Sequence, residues 1–125
     1  MFRTNLKTNF EFSDKHKLIL SCLDRGEENA ISRKHLSAFT GLPDRQVRYL
    51  IADLRLEFPI LSNSLTGGYY LPSAGLKGDR ECLSFMREQR SRAREINKSL
   101  MGIYKELNSR ELAEEYERYD DLLRW

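Results

Sequence analysis

Apolar residues recur along most of this chain at steps of three and four, interrupted once by two short runs of β-formers around a glycine loop. That pattern predicts a mainly helical protein with a small hairpin. Leu18, Ile19, Cys22 and Leu23 mark a first helix. Ser13 suits its N-cap, Asp14 faces the positive end of its dipole, and Arg25-Gly26 ends it. Asn29-Ala30-Ile31 reads as a short extended piece. Ser32 caps a second helix from Arg33 to Thr40, with Leu36 and Phe39 as its apolar side. Gly41 stops that helix, and Pro43 prepares the start of a third, which runs from Asp44 to about residue 57. Val47, Leu50, Ile51 and Leu54 form the inward stripe of this third helix. The strands are Ile60-Leu61-Ser62 and Tyr69-Tyr70-Leu71, joined by the turn-rich residues 63–68.

Residues 1–12, polar with scattered Phe2, Phe10 and Phe12, read as a loosely packed arm. Residues 13–72 form the main domain, residues 73–78 a linker, and residues 79–125 a helical extension. Within that extension Cys82, Met86, Gln89, Ala93, Ile96, Leu100, Ile103 and Leu107 alternate in steps of four and three. They make a heptad seam on one helix reaching about Leu107, weakest at Gln89 and Ala93. Asn108-Ser109 breaks it, and a last acidic helix over residues 110–123 carries Leu112, Tyr116, Tyr119 and Leu123. An amphipathic helix this long needs a partner. Met86, Ala93, Ile96, Leu100, Ile103 and Leu107 either pair with a second copy, giving a homodimer, or fold back on the last helix.

Charge changes this picture locally and not globally. The net charge of +2, from 21 Lys and Arg against 19 Asp and Glu, names no partner. Residues 1–76 carry 10 basic and 8 acidic side chains, and residues 77–125 carry 11 of each. In the second part the basic residues crowd between Arg87 and Lys98, and the acidic ones follow Glu106. Arg87, Arg90, Arg94 and Lys98 step by three, four and four, a basic stripe beside the seam. It suits either DNA phosphates or the acidic last helix. Two widely spaced cysteines fit reduced thiols in a cytoplasm better than a disulfide framework or a zinc cluster. No apolar run reaches the roughly 18–20 residues of a membrane span, and the N-terminus lacks the design of a signal peptide.

Residues 33–52, Arg-Lys-His-Leu-Ser-Ala-Phe-Thr-Gly-Leu-Pro-Asp-Arg-Gln-Val-Arg-Tyr-Leu-Ile-Ala, hold the parts of a helix-turn-helix. Ser37 is the small residue where two helices cross. Gly41 tolerates the positive φ of the turn. Leu36, Leu42, Val47 and Leu50 lock the helices together. The third helix then presents Asp44, Arg45, Gln46, Arg48 and Tyr49. Arg and Gln match the base edges of a major groove, and Tyr reaches a phosphate or a thymine methyl. Arg33 and Lys34 are placed to hold phosphates, and Asn63, Ser64 and Thr66 to touch backbone or minor groove.

The run Leu54-Arg55-Leu56-Glu57-Phe58-Pro59-Ile60-Leu61-Ser62, its Gly-Gly loop and Tyr69-Tyr70-Leu71-Pro72 resemble the helix–hairpin end of the biotin-repressor type of winged helix. The likeness covers roughly residues 15–72. The chain also resembles small winged-helix proteins carried by phages and prophages of Gram-positive bacteria. The resemblance implies an α+β fold, a winged helix-turn-helix followed by a helical extension. It implies sequence-specific binding to double-stranded DNA in transcriptional or replication control, in the host cytoplasm. No biotin-ligase domain accompanies it, so no cofactor is implied. Two features suit a protein-interaction adaptor instead: Asp44 stands where phosphate is expected, and residues 63–68 contain no Lys or Arg. Such an adaptor would engage its partner through the winged helix or the acidic C-terminal helix. His16 and His35 lack a partner at metal-ligand spacing, and no phosphate loop, nucleophile elbow or paired catalytic carboxylates appear, so no enzyme and no metal site are expected.

Overall fold

A computed structural model describes residues 11–108, and places the element order as α1 (Asp14–Ser21), a 3-10 turn (Glu27–Asn29), α2 (Arg33–Thr40), α3 (Asp44–Leu54), β1 (Leu61–Ser62), β2 (Tyr69–Tyr70), α4 (Gly75–Ser99) and α5 (Met101–Asn108). The described residues are mainly helical, with a two-stranded antiparallel sheet. The last predicted helix, residues 110–123 with Tyr116 and Tyr119, lies outside them, as does Trp125. The chain divides into two compact units, Met1–Met86 and Arg87–Trp125, with the boundary inside α4.

In the first unit, local chemistry starts each helix. The Ser13 hydroxyl accepts from the His16 backbone N–H, and the His16 ring accepts in return from the Ser13 backbone N–H at 3.0 Å. This is a capping box with histidine in the usual Glu or Gln position. Ser32 repeats the first half of the device on α2, accepting from the His35 backbone N–H at 3.1 Å. Gly41 closes α2 in the left-handed conformation at φ 73°, and its N–H donates to the Ser37 carbonyl. The Ser37 hydroxyl donates to the Leu42 carbonyl, and Thr40 Oγ1 accepts from the Leu42 N–H. These bonds hold the short Gly41-Leu42-Pro43 turn and set the approach of α3 to α2.

The core lies where the three helices meet: Ile19 and Leu23 from α1 and its end, Leu36 from α2, Val47, Leu50, Ile51 and Leu54 from α3, and Ile60 before β1. Phe39 is an exception. The sequence pairs it with Leu36 on the apolar side of α2, yet it is 76% exposed at the last turn. Leu36, three residues earlier, already occupies the narrow contact of this short helix with α3. Phe12, expected in the arm, packs instead against the core, with its ring 5.8 Å from Phe58 and edge-on to His16 at 5.4 Å.

β1 and β2 pair in the register Leu61↔Tyr70 and Ser62↔Tyr69. The other edge of β2 is covered as well. Tyr69 exchanges both backbone hydrogen bonds with Ile31, and Leu71 bonds to Asp24 and Gly26. The predicted extended piece at 29–31 therefore contributes one bridge and not a full strand, because the 3-10 turn occupies its beginning.

Two predicted boundaries move. The segment read as a linker is only partly one, since α4 starts at Gly75. Glu81 ties that start down. Its carboxylate accepts from the Ser73 N–H at 2.7 Å, the Ser73 hydroxyl and the Glu27 N–H. Gly78 lies so close to the Ser73 carbonyl that an added Cβ would sit 1.7 Å from its oxygen. Further on, the single long helix expected to reach Leu107 is interrupted at Leu100. The Ser99 hydroxyl donates back to the Ile96 carbonyl, a contact that bends helices, and Gly102 follows as a weak helix former.

Candidate nucleic-acid interface

α3 has two faces set by its sequence spacing. Val47, wholly buried, and Leu50, Ile51 and Leu54 anchor it. Asp44, Arg45, Arg48 and Tyr49 are exposed, and Gln46 is half-buried at the border. The exposed side chains are organised among themselves. Arg33 Nε, at the start of α2, donates to Asp44 Oδ1 at 2.6 Å. Arg48 Nε stands 3.8 Å from the other carboxylate oxygen. Asp44 therefore brackets two guanidiniums on the surface where the two helices begin. Its hydrogen bond, reinforced by Tyr69, holds Arg33 above its ordinary range. On the next row Arg45 donates to the Tyr49 hydroxyl at 3.4 Å, with its guanidinium 5.6 Å from the ring centroid. Lys34 is exposed beside Arg33.

The structure thus brings Arg33, Asp44 and Arg48 into one group and Arg45 and Tyr49 into another. The residues of the hairpin loop are engaged differently. Asn63 Oδ1 accepts from the backbone of Leu65 and Thr66, while its Nδ2 donates to Glu27 Oε1 at 2.8 Å. Thr66 Oγ1 accepts from the Gly68 N–H. Both side chains shape the loop, which also needs Gly67 at φ 71°. Ser64 is exposed, and at the tip Leu65 is 93% exposed. Among the described residues, no side-chain hydrogen bond or ion pair joins residues 63–68 to Arg33, Asp44 or Arg48.

Two arrangements escape sequence reasoning. Arg55, at the end of α3, donates to the Ile60 carbonyl at 3.0 Å and lies over the rings of Tyr69 and Phe85. Partial burial pushes its guanidinium below the ordinary range, so it joins hairpin to helix as a structural cation. Ser13, His16 and Asp53 form a hydrogen-bonded chain of the residue types found in hydrolases. The Ser13 backbone N–H occupies His16 Nδ1, leaving the ring proton on Nε2 to donate to Asp53 Oδ2 at 2.9 Å. The serine hydroxyl also donates to His16 Nδ1 at 2.8 Å while it accepts the longer capping bond from the His16 N–H at 3.4 Å. The Ser-x-x-His spacing of this cap is visible in the sequence, twice, but the pairing with Asp53 is not. Among the described residues no group of three His, Cys, Asp or Glu side chains is placed to hold a metal ion. Nor is any helix among them long and apolar enough to cross a membrane.

Compared with known proteins, the chain matches no protein-family model, no curated protein and no solved structure.

Proposed function

We propose that residues 13–72 are a winged helix-turn-helix that binds double-stranded DNA sequence-specifically, in a small phage or mobile-element regulator of transcription or replication. One observation carries the reading. α3 turns Arg45, Arg48 and Tyr49 outward while Val47 and Leu50 hold it from behind. A helix so anchored fits a major groove about 12 Å wide. Arg33 and Lys34 supply phosphate contacts at the start of α2. Asp44 restrains Arg33 and Arg48 until phosphate displaces it, which orients both guanidiniums before binding. Gln46 and Ser64 complete the contact set. Asn63 and Thr66 act by shaping the loop. The seam residues Met86, Ile96 and Ile103 are 44%, 61% and 56% exposed, and we assign them to a homodimer that sets two recognition helices on a palindromic site. Neither catalysis nor a cofactor has a part in this reading.

Selection of bound sequences from a random duplex pool tests it. A palindromic consensus is expected, and replacing Arg45, Gln46 and Arg48 together by alanine is expected to weaken its binding more than tenfold, at about 1–3 kcal/mol per base contact. A pool without enrichment overturns it. The exposed Phe39 and Leu65, with a hairpin loop devoid of Lys and Arg, favour one second reading, an adaptor that docks a protein. In that case the triple substitution leaves partner binding unchanged, and Phe39→Ser with Leu65→Ser abolishes it.

A further inference from the structure

We propose that the basic face of α4 in the second unit is a phosphate-tracking surface for the backbone of duplex DNA, separate from any base reading. Arg87, Arg90, Arg94 and Lys98 fall within about a quarter of the helix circumference at 3.6 residues per turn. All four are exposed. Among the described residues the three arginines form no ion pair, and Lys98 has only the weak i,i+3 contact with Glu95 at 3.3 Å. A solvated helix normally interleaves its charges so that opposite signs meet at i+3 or i+4. Here the two acidic residues of the same stretch, Glu88 and Glu95, each follow an arginine by one position and so turn away from the three arginines. Among the described residues the result is a positive row compensated only at Lys98, by Glu95, and flanked by Ser91 and Asn97, which add neutral hydrogen-bonding groups.

The row is about 16 Å long at 1.5 Å per residue. That length of B-DNA presents roughly five phosphates per strand. Three of the four cations are arginines, whose planar fork binds phosphate through two hydrogen bonds. The row runs beside the seam. Arg87, Arg94 and Lys98 point roughly 80° or more away from Met86, Ala93 and Ile96, so pairing through the seam leaves these cations accessible, while Arg90, four residues after Met86 and three before Ala93, borders it. The surface rests only on the general reading that the protein meets DNA, and not on which bases α3 reads.

The full-length protein and its Arg87→Ala, Arg90→Ala, Arg94→Ala triple variant are titrated with a selected and a scrambled duplex across a range of salt. Alanine keeps the helix, and far-UV circular dichroism verifies it. The matching Arg→Lys triple variant retains the charge. The alanine variant is expected to bind both duplexes about tenfold more weakly and to lose roughly 2–3 from the slope of log affinity against log salt. The lysine variant keeps most of the slope. An unchanged slope in the alanine variant, with sequence preference intact, overturns the surface and leaves the α3 reading standing. Stripe-dependent binding with no preference between duplexes does the reverse. Failure of the parent to bind either duplex overturns both.

Discussion

α3 and α4 carry the same kind of sequence signal and meet different fates. Both are amphipathic at helical spacing, but Val47, Leu50, Ile51 and Leu54 of α3 are closed over by α1, α2 and the hairpin, whereas Ile96 of α4 stays open. The difference lies in what else the chain supplies. Two short serine-capped helices, a tight turn and a hairpin give α3 three apolar surfaces close by in sequence. The stretch from Arg87 onward has charged residues at most positions outside its seam. An apolar stripe is therefore a request for a partner, and only the fold says whether the chain answers it.

The comparison is broken most directly by truncating one residue from each stripe. Leu54→Ala, at a fully buried site, is expected to cost about 2–5 kcal/mol in urea unfolding. Ile96→Ala is expected to change a dilute monomer by less than about 0.5 kcal/mol. A cost for Ile96→Ala that grows with protein concentration would show the seam closed by a second copy.

The glycines sharpen it next. Gly78→Ala drives a methyl into the Ser73 carbonyl and is expected to lose about 1–3 kcal/mol. Gly102→Ala in α5 meets open space and is expected to gain about 0.5–1 kcal/mol, since alanine is the better helix former. Thermal midpoints moving in opposite directions check the pair. Capping follows. Ser13→Ala removes the acceptor at the N-terminus of α1 and is expected to cost about 1 kcal/mol.

The smallest effect is at Cys82. Burial, with Asp79 and Glu81 nearby, pushes its thiol above the ordinary value of 9.0. The folded state thus holds the proton more tightly than the unfolded one. The stabilisation is complete below pH 9.0 and fades as pH climbs through the raised value. Iodoacetamide at pH 8 should accordingly modify Cys82 more slowly than a free cysteine, and equal rates would show the site open.

How far the site was legible depends on whether a residue's job is local. Arg45, Arg48 and Tyr49 are exposed as their spacing predicts, because a helix with Val47 and Leu50 inside has no other way to turn them. Asn63 and Thr66 looked like contact residues because turn-formers and hydrogen-bonding side chains are the same residue types. Their side chains are used within the loop. Asp44 stands where the sequence reading expects phosphate, and its bond to Arg33, eleven positions earlier, and its approach to Arg48 are invisible in the spacing. Gly75 and Gly78 looked like linker residues. One starts a helix and the other permits a backbone contact, and composition cannot separate these roles from flexibility.

By itself the sequence determined α1 to α3, the serine caps of α1 and α2, the Gly41 turn, the hairpin position and the inner face of α3, because each depends on neighbours within one or two turns. Tertiary structure alone decided the pairing of His16 with Asp53, the stacking of Arg55 on Tyr69 and Phe85, the exposure of Phe39 and the anchoring of α4 by Glu81. Those depend on which distant surfaces arrive together, and a side chain's type does not encode what will stand opposite it.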